Sequence, residues 1–150
     1  MDEHSDLEIR IVSNPRYICA VRLAIESAAR SLGAAEQTCG ELALVVGEAL
    51  ANVIKHGYQD QTDRPIWVTG SPMQDDGRRC FEVVIEDESQ GVDLDQIKSR
   101  PLDEVRPGGL GVHLIQCIMD QVEYSHRQDG VGVRLRMRKC IGPANQVAKS

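Results

Sequence analysis

The run from Ala34 to His56 restricts the fold more than any other part of the chain. It holds no proline, and Leu42, Val45, Val46, Ala49, Leu50 and Val53 recur at three- and four-residue spacing. That period belongs to an amphipathic helix, and Gly57 supplies a C-terminal cap for it. Such a helix has an apolar face to bury, and other elements must cover it.

The remaining segments supply those elements. Leu7, Ile9 and Ile11 alternate with charged residues, the period of a half-buried strand that ends at Ser13. Asn14 and Pro15 then read as an N-cap and a first-turn proline, opening a helix that runs to Leu32 and stops at Gly33. Residues 66–73 and 79–87 are rich in strand formers and are joined by Asp75-Asp76-Gly77, a hairpin signal, with Phe81, Val83 and Ile85 on one face. Residues 110–119 return to helical spacing, and 122–127 and 131–140 form a second hairpin around Asp129-Gly130. Between the hairpins, residues 88–109 mix Ser, Gly, Pro and charge with one short helical candidate at 94–98. They read as a long excursion of the kind that often serves as a lid, and the tail after Gly142 reads as frayed. The expected architecture is a two-layer α/β sandwich, a mixed and mostly antiparallel sheet covered on one face by about three helices. A length of 150 residues suits one domain, with its core at about residues 7–141.

Charge and cysteine usage exclude several classes of function. Lys and Arg number 17 against 23 Asp and Glu, a net charge of −6, so the overall field disfavours a nucleic-acid backbone. No stretch approaches the roughly 20 apolar residues of a membrane span, and the start is acidic where an export signal is basic. A soluble cytoplasmic protein is expected. The five cysteines are scattered and form no C-x-x-C pair, which fits reduced thiols packed as small hydrophobes.

Three segments carry candidate chemistry. Glu48, Asn52 and His56 fall at i, i+4 and i+8 and make one polar stripe, each step advancing about 6 Å with roughly 40° of drift. Glu86-Asp87 closes a strand and leads into Ser89 and Gly91, which places a carboxylate where a ligand edge could be read. Gly108-Gly109-Leu110-Gly111 opens a helix whose free N–H groups and positive dipole end favour phosphate. Arg134, Arg136 and Arg138 alternate with apolar residues and read as a solvated strand face.

In order along the chain, EALANVIKHG, EDESQG and RPGGLGVHLIQCIMD resemble the three ATP-site boxes of the histidine-kinase-like ATPases. The last run, continuing into Gln121-Val122-Glu123-Tyr124, resembles more narrowly the anti-sigma-factor serine/threonine kinases, over roughly residues 7–141. The resemblance implies a Bergerat-type ATP-binding fold, ATP and Mg2+ as cofactors, and two protein partners, a sigma factor and an anti-anti-sigma protein bearing the phosphoacceptor serine. It also suggests a homodimer, since members of the family often dimerise.

Residue by residue, the resemblance makes Glu48 the group that orients or deprotonates the attacking hydroxyl and Asn52 the ligand of Mg2+. A carboxylate accepts a proton, and a neutral amide binds a hard cation without repelling phosphate, so both choices are chemically sound. Lys55 and His56, one turn on, are placed toward the phosphates. Asp87 would accept a hydrogen bond from the adenine amino group, with Gly91 admitting the base. Gly109 and Gly111 would act as lid hinges whose amides meet the phosphates, with Arg106, Gly108 and Leu110 completing that segment. Ser89 departs from the pattern, standing where the first glycine of the second box is expected. It slightly favours a rival reading, a regulatory module that acts by protein contact with ATP as a structural ligand or none. A detached catalytic part of a phosphorelay histidine kinase ranks below both, because the first helix carries no histidine.

Overall fold

The computed structural model describes residues 5–91, 93–94 and 109–143. Strand β1 (Leu7–Val12) shows the expected alternation of half-buried and exposed residues. Asn14 caps a 3-10 turn at Pro15–Tyr17, its side chain accepting the Arg16 amide at 3.0 Å, and the turn leads into α1 (Ile18–Ser31). One face of α1 buries Val21, Ile25 and Ala29, each one turn beyond the last. Helix α2 (Glu36–Asn52) buries Leu42, Val45, Val46, Ala49 and Leu50, so the stripe read from the sequence is its core face.

The α-helix is shorter than the sequence suggests. It ends at Asn52 and continues as a wide π-helical turn over Val53–Gly57, in which the Tyr58 amide reaches back five residues to the Val53 carbonyl at 2.8 Å. Lys55 and His56 therefore leave the 3.6-residue period on which the stripe was drawn.

Strand β2 (Pro65–Asp75) and β3 (Arg78–Asp87) are joined by Asp76-Gly77, both with positive φ, the backbone of the hairpin turn that the pair demands. Helix α3 (Gly109–Ile118) leads into β4 (Gln121–His126), and β5 (Val133–Pro143) completes the sheet. The strands lie in the order β1-β2-β3-β5-β4, and every pairing among them is antiparallel. The helices cover one face, where Ile66, Val68, Phe81, Val83, Ile85 and Met137 meet the buried residues of α1 and α2. This is the two-layer architecture expected, with β3 at its centre.

The other face of the sheet carries paired charges. Arg138 donates to Glu82 at 2.7 Å, Arg136 pairs with Glu123, and Arg134 lies 3.9 Å from Glu86. The arginine row is thus knitted into neighbouring strands rather than simply solvated. All five cysteines are free thiols. The short helical candidate, apart from Leu94, and the tail beyond residue 143 lie outside the described residues. No helix among the described residues is long and apolar enough to cross a membrane.

Candidate functional site

A cleft of about 300 Å³ opens between the end of α2, the ends of β3 and β5, and α3. Ala49, Val53, Ile85, Val112 and Leu135 give it apolar walls, while Asn52, His56 and Asp87 supply polar groups at separate points. Slots with apolar walls and a few placed polar atoms suit flat, partly polar ligands.

Asp87 is the best-defined of these polar groups. It closes β3, is only 4% exposed, and its Oδ1 accepts hydrogen bonds from the Ser89 amide at 2.8 Å and from the Ser89 hydroxyl. Burial pushes its carboxyl above the ordinary carboxylate range, and the two Ser89 bonds work against that rise. The backbone of Asp87 is itself enclosed. Gly132 has a φ of +97°, and a Cβ there would fall 1.8 Å from the Asp87 carbonyl oxygen, so only glycine admits β5 at this distance.

Tyr58 anchors the neighbourhood. Its hydroxyl donates to the Pro65 carbonyl and accepts the Glu88 amide, both at 2.6 Å, which ties the π turn to the first residue of β2 and to the residue after β3. The ring is buried, and burial raises the phenol's pKa, so the group stays a protonated donor.

Gly111 marks the closest approach of α3 to the polar stripe of α2. A Cβ on Gly111 would lie 2.9 Å from Glu48 Oε2 and 3.2 Å from Asn52 Nδ2, so α3 approaches α2 at the two side chains singled out on the stripe. The far end of α3 is fastened as well. Lys139 of β5 donates to the Ile118 carbonyl at 2.8 Å and lies 3.7 Å from Glu41 of α2, placing a cation at the helix C-terminus.

Of the residues expected at the site, Asn52, His56, Asp87 and Gly91 line the cleft, and Glu48 and Gly111 meet beside it. Lys55 is exposed and is not among the lining residues. Gly109 and Leu110 form the first turn of α3, whereas Arg106 and Gly108 lie outside the described residues. Sequence reasoning missed Tyr58, Gly132 and the bonding role of Ser89. Ser89 stands two residues after Asp87, the spacing of a side-chain-to-amide turn, and that signal was available. Gly132, at the mouth of a strand, marks a close backbone approach, also a readable sign. Nothing in the local sequence announces the long-range bonds of Tyr58.

A buried carboxylate at a strand end, a cleft with apolar walls and a glycine-opened helix packed on a Glu/Asn stripe lie together around the end of α2, the features that the sequence resemblance assigns to an ATP site. The model of the histidine kinase-like ATPase domain family matches residues 11–139, and the chain belongs to that family. Within it, the chain is similar to the serine-protein kinase RsbW of Oceanobacillus iheyensis, 27% identical over 149 residues, covering 94% of this chain and 90% of that protein. The RsbW proteins of Bacillus velezensis and Bacillus subtilis are 28% and 26% identical over 143 residues, each covering 90% of this chain and 85% of the relative.

Proposed function

We propose that this chain is an ATP-dependent serine/threonine protein kinase that sequesters a sigma factor and phosphorylates a serine of an anti-anti-sigma partner. The observation that carries this reading is the meeting of Glu48, Asn52 and Gly111 beside a cleft whose floor is Asp87. The names of the RsbW relatives support the kinase activity, and the motif resemblance supplies the partners.

The division of labour follows from the side chains. Asp87 presents Oδ2 to the adenine amino group while Ser89 occupies Oδ1. The apolar walls take the faces of the base, and Gly91 leaves room beside it. The donor set fits Mg2+, which takes few protein ligands and keeps water and phosphate oxygens, so one amide oxygen from Asn52 suffices. When bound, the ion would neutralise charge on the triphosphate. Glu48 accepts the proton of the attacking serine hydroxyl. His56 and the amides of Gly109, Leu110 and Gly111 face the phosphates, with Lys55 as an outlying cation, while Arg106 and Gly108 are phosphate candidates from the motif resemblance alone. The protein acts in the cytoplasm, as a homodimer.

The test is incubation of the purified chain with γ-labelled ATP, Mg2+ and the candidate anti-anti-sigma protein. Label on a partner serine is expected. Nucleotide binding without transfer would instead establish the contact-only module, and absence of nucleotide binding at millimolar concentration would remove the ATP reading altogether.

A further inference from the structure

Cys80, near the start of β3, stands directly opposite Cys140, near the end of β5, in the strand register. Their sulfurs are 3.1 Å apart. Residues opposed across antiparallel strands have Cα atoms roughly 4.5–5.5 Å apart, within the span that a disulfide bridges, so the backbone already suits a bond. The register shifts between Arg79 and Cys80, an irregularity that sets this pair apart from the regular ladder beyond it. Cys140 is half-exposed, whereas Cys80 is buried. Cys140 is therefore the more accessible residue of the pair.

We propose that Cys80 and Cys140 form a reversible disulfide, a modification site for small thiol oxidants, either a peroxide or a low-molecular-weight disulfide. With peroxide, the Cys140 thiolate attacks one oxygen, the O–O bond breaks, and the departing hydroxide takes a proton to leave as water. Cys140 is then a sulfenic acid. The Cys80 sulfur attacks it, the S–S bond forms as the S–O bond breaks, and the second hydroxide leaves as water with the Cys80 proton. Two thiols and one peroxide thus give one disulfide and two waters. With a small disulfide, Cys140 displaces one small thiol and Cys80 displaces the second.

The order of events follows from the surroundings. Burial and the hydrogen bond with Cys140 push the Cys80 thiol up to about 12, which makes it a poor first nucleophile. Contact with the activated sulfur offsets that disadvantage in the second step. The Cys140 amide donates to Asp120 at 2.6 Å, and the Asp120 amide donates to the Arg138 carbonyl at 2.9 Å, so the pair lies against the joint between α3 and β4. The bond would close a loop between positions 60 apart that contains Asp87, α3 and β4. Cys80 and Asp87 are separated by seven steps of an extended strand, about 23 Å, so the cross-link stays clear of the cleft. It stabilises the fold by restricting the unfolded chain. This site does not depend on the kinase reading.

The experiment uses the full chain with Cys19→Ser and Cys117→Ser, which removes the two exposed thiols outside the pair. The protein is equilibrated with reduced and oxidised glutathione at graded ratios, or treated with hydrogen peroxide. Free thiols are then alkylated, and the protein is mapped by mass spectrometry without reduction. The expected result is a cross-linked Cys80–Cys140 peptide that dithiothreitol reverses, and a rise in Tm of about 5–15 °C in the oxidised form. Adding Cys140→Ser, at a half-exposed position, should abolish both effects. Full alkylation of Cys80 and Cys140 after oxidant, a stable glutathione adduct or sulfinic acid on Cys140, or pairing of either residue with Cys39 would overturn the proposal.

Discussion

Asp87 is held where burial disfavours its charge. With its folded pKa raised, the unfolded chain loses this proton at a lower pH than the folded chain does. Between those two points the native state binds more protons, so stability falls as pH rises through the window and is fully retained below it. Asp87→Asn removes that loss while its Oδ1 still accepts from Ser89. The ligand-free variant should therefore melt at or above the wild-type temperature at pH 7 and match it in acid, as thermal melts across pH 4–7 would record. The same variant should lose about 1.5–3 kcal/mol of adenine-nucleotide affinity, because its amide turns a donor toward the base amino group. Calorimetric titration reads that loss, and unchanged affinity would remove Asp87 as the base reader. Glu48 and Asn52 separate in a second pair of measurements. Glu48→Gln should keep ATP binding and slow phosphoryl transfer by ~10²–10⁴, whereas Asn52→Ala should weaken Mg-ATP itself and flatten the dependence of binding on Mg2+. Transfer at the wild-type rate by Glu48→Gln would leave Glu48 as a polar residue on a helix face.

Among the elements, the π turn after α2 and the helix α3 decide whether the site is assembled. Tyr58 closes the π turn and bridges two backbone groups from distant segments. Tyr58→Phe leaves the Pro65 carbonyl and Glu88 amide without that partner, and the expected cost is about 1–3 kcal/mol in chemical denaturation. A loss below a few tenths would mean that water replaces the hydroxyl at both groups. The hairpin at Asp76-Gly77 was readable because a two-residue turn of that chemistry has few alternatives. The π turn was not, since the residues 53–57 continue the α-helical pattern without a break and only the long-range bonds of Tyr58 distinguish the two. The helix–strand order was equally legible, because each element buries one face and its period shows in the sequence. Lys139, by contrast, carried no signal in the sequence, since its hold on the end of α3 depends on a crossing that no local pattern encodes.

At the scale of the whole molecule, the site is drawn from segments that the sheet order brings together. The stripe of Glu48 and Asn52, the carboxylate of Asp87 and the glycines of α3 were each visible as residue types, but their convergence required the placement of β5 beside β3, with β4 outside it. That order also supplied the partner of Gly132, which precedes β5 and meets the last residue of β3, its neighbour only in space. The same arrangement has a consequence for endurance. Strand β3 lies between β2 and β5, so its amides are bonded on both sides, whereas β1 and β4 each pair on one side only among the described residues. Amide hydrogens along β3 should exchange with deuterium only when the whole domain opens, and those of the edge strands earlier, by fraying. Deuterium uptake followed by mass spectrometry would show β3 among the last segments to label. The strand that ends in Asp87 would then persist as long as the native state itself, even in molecules whose edges have come apart.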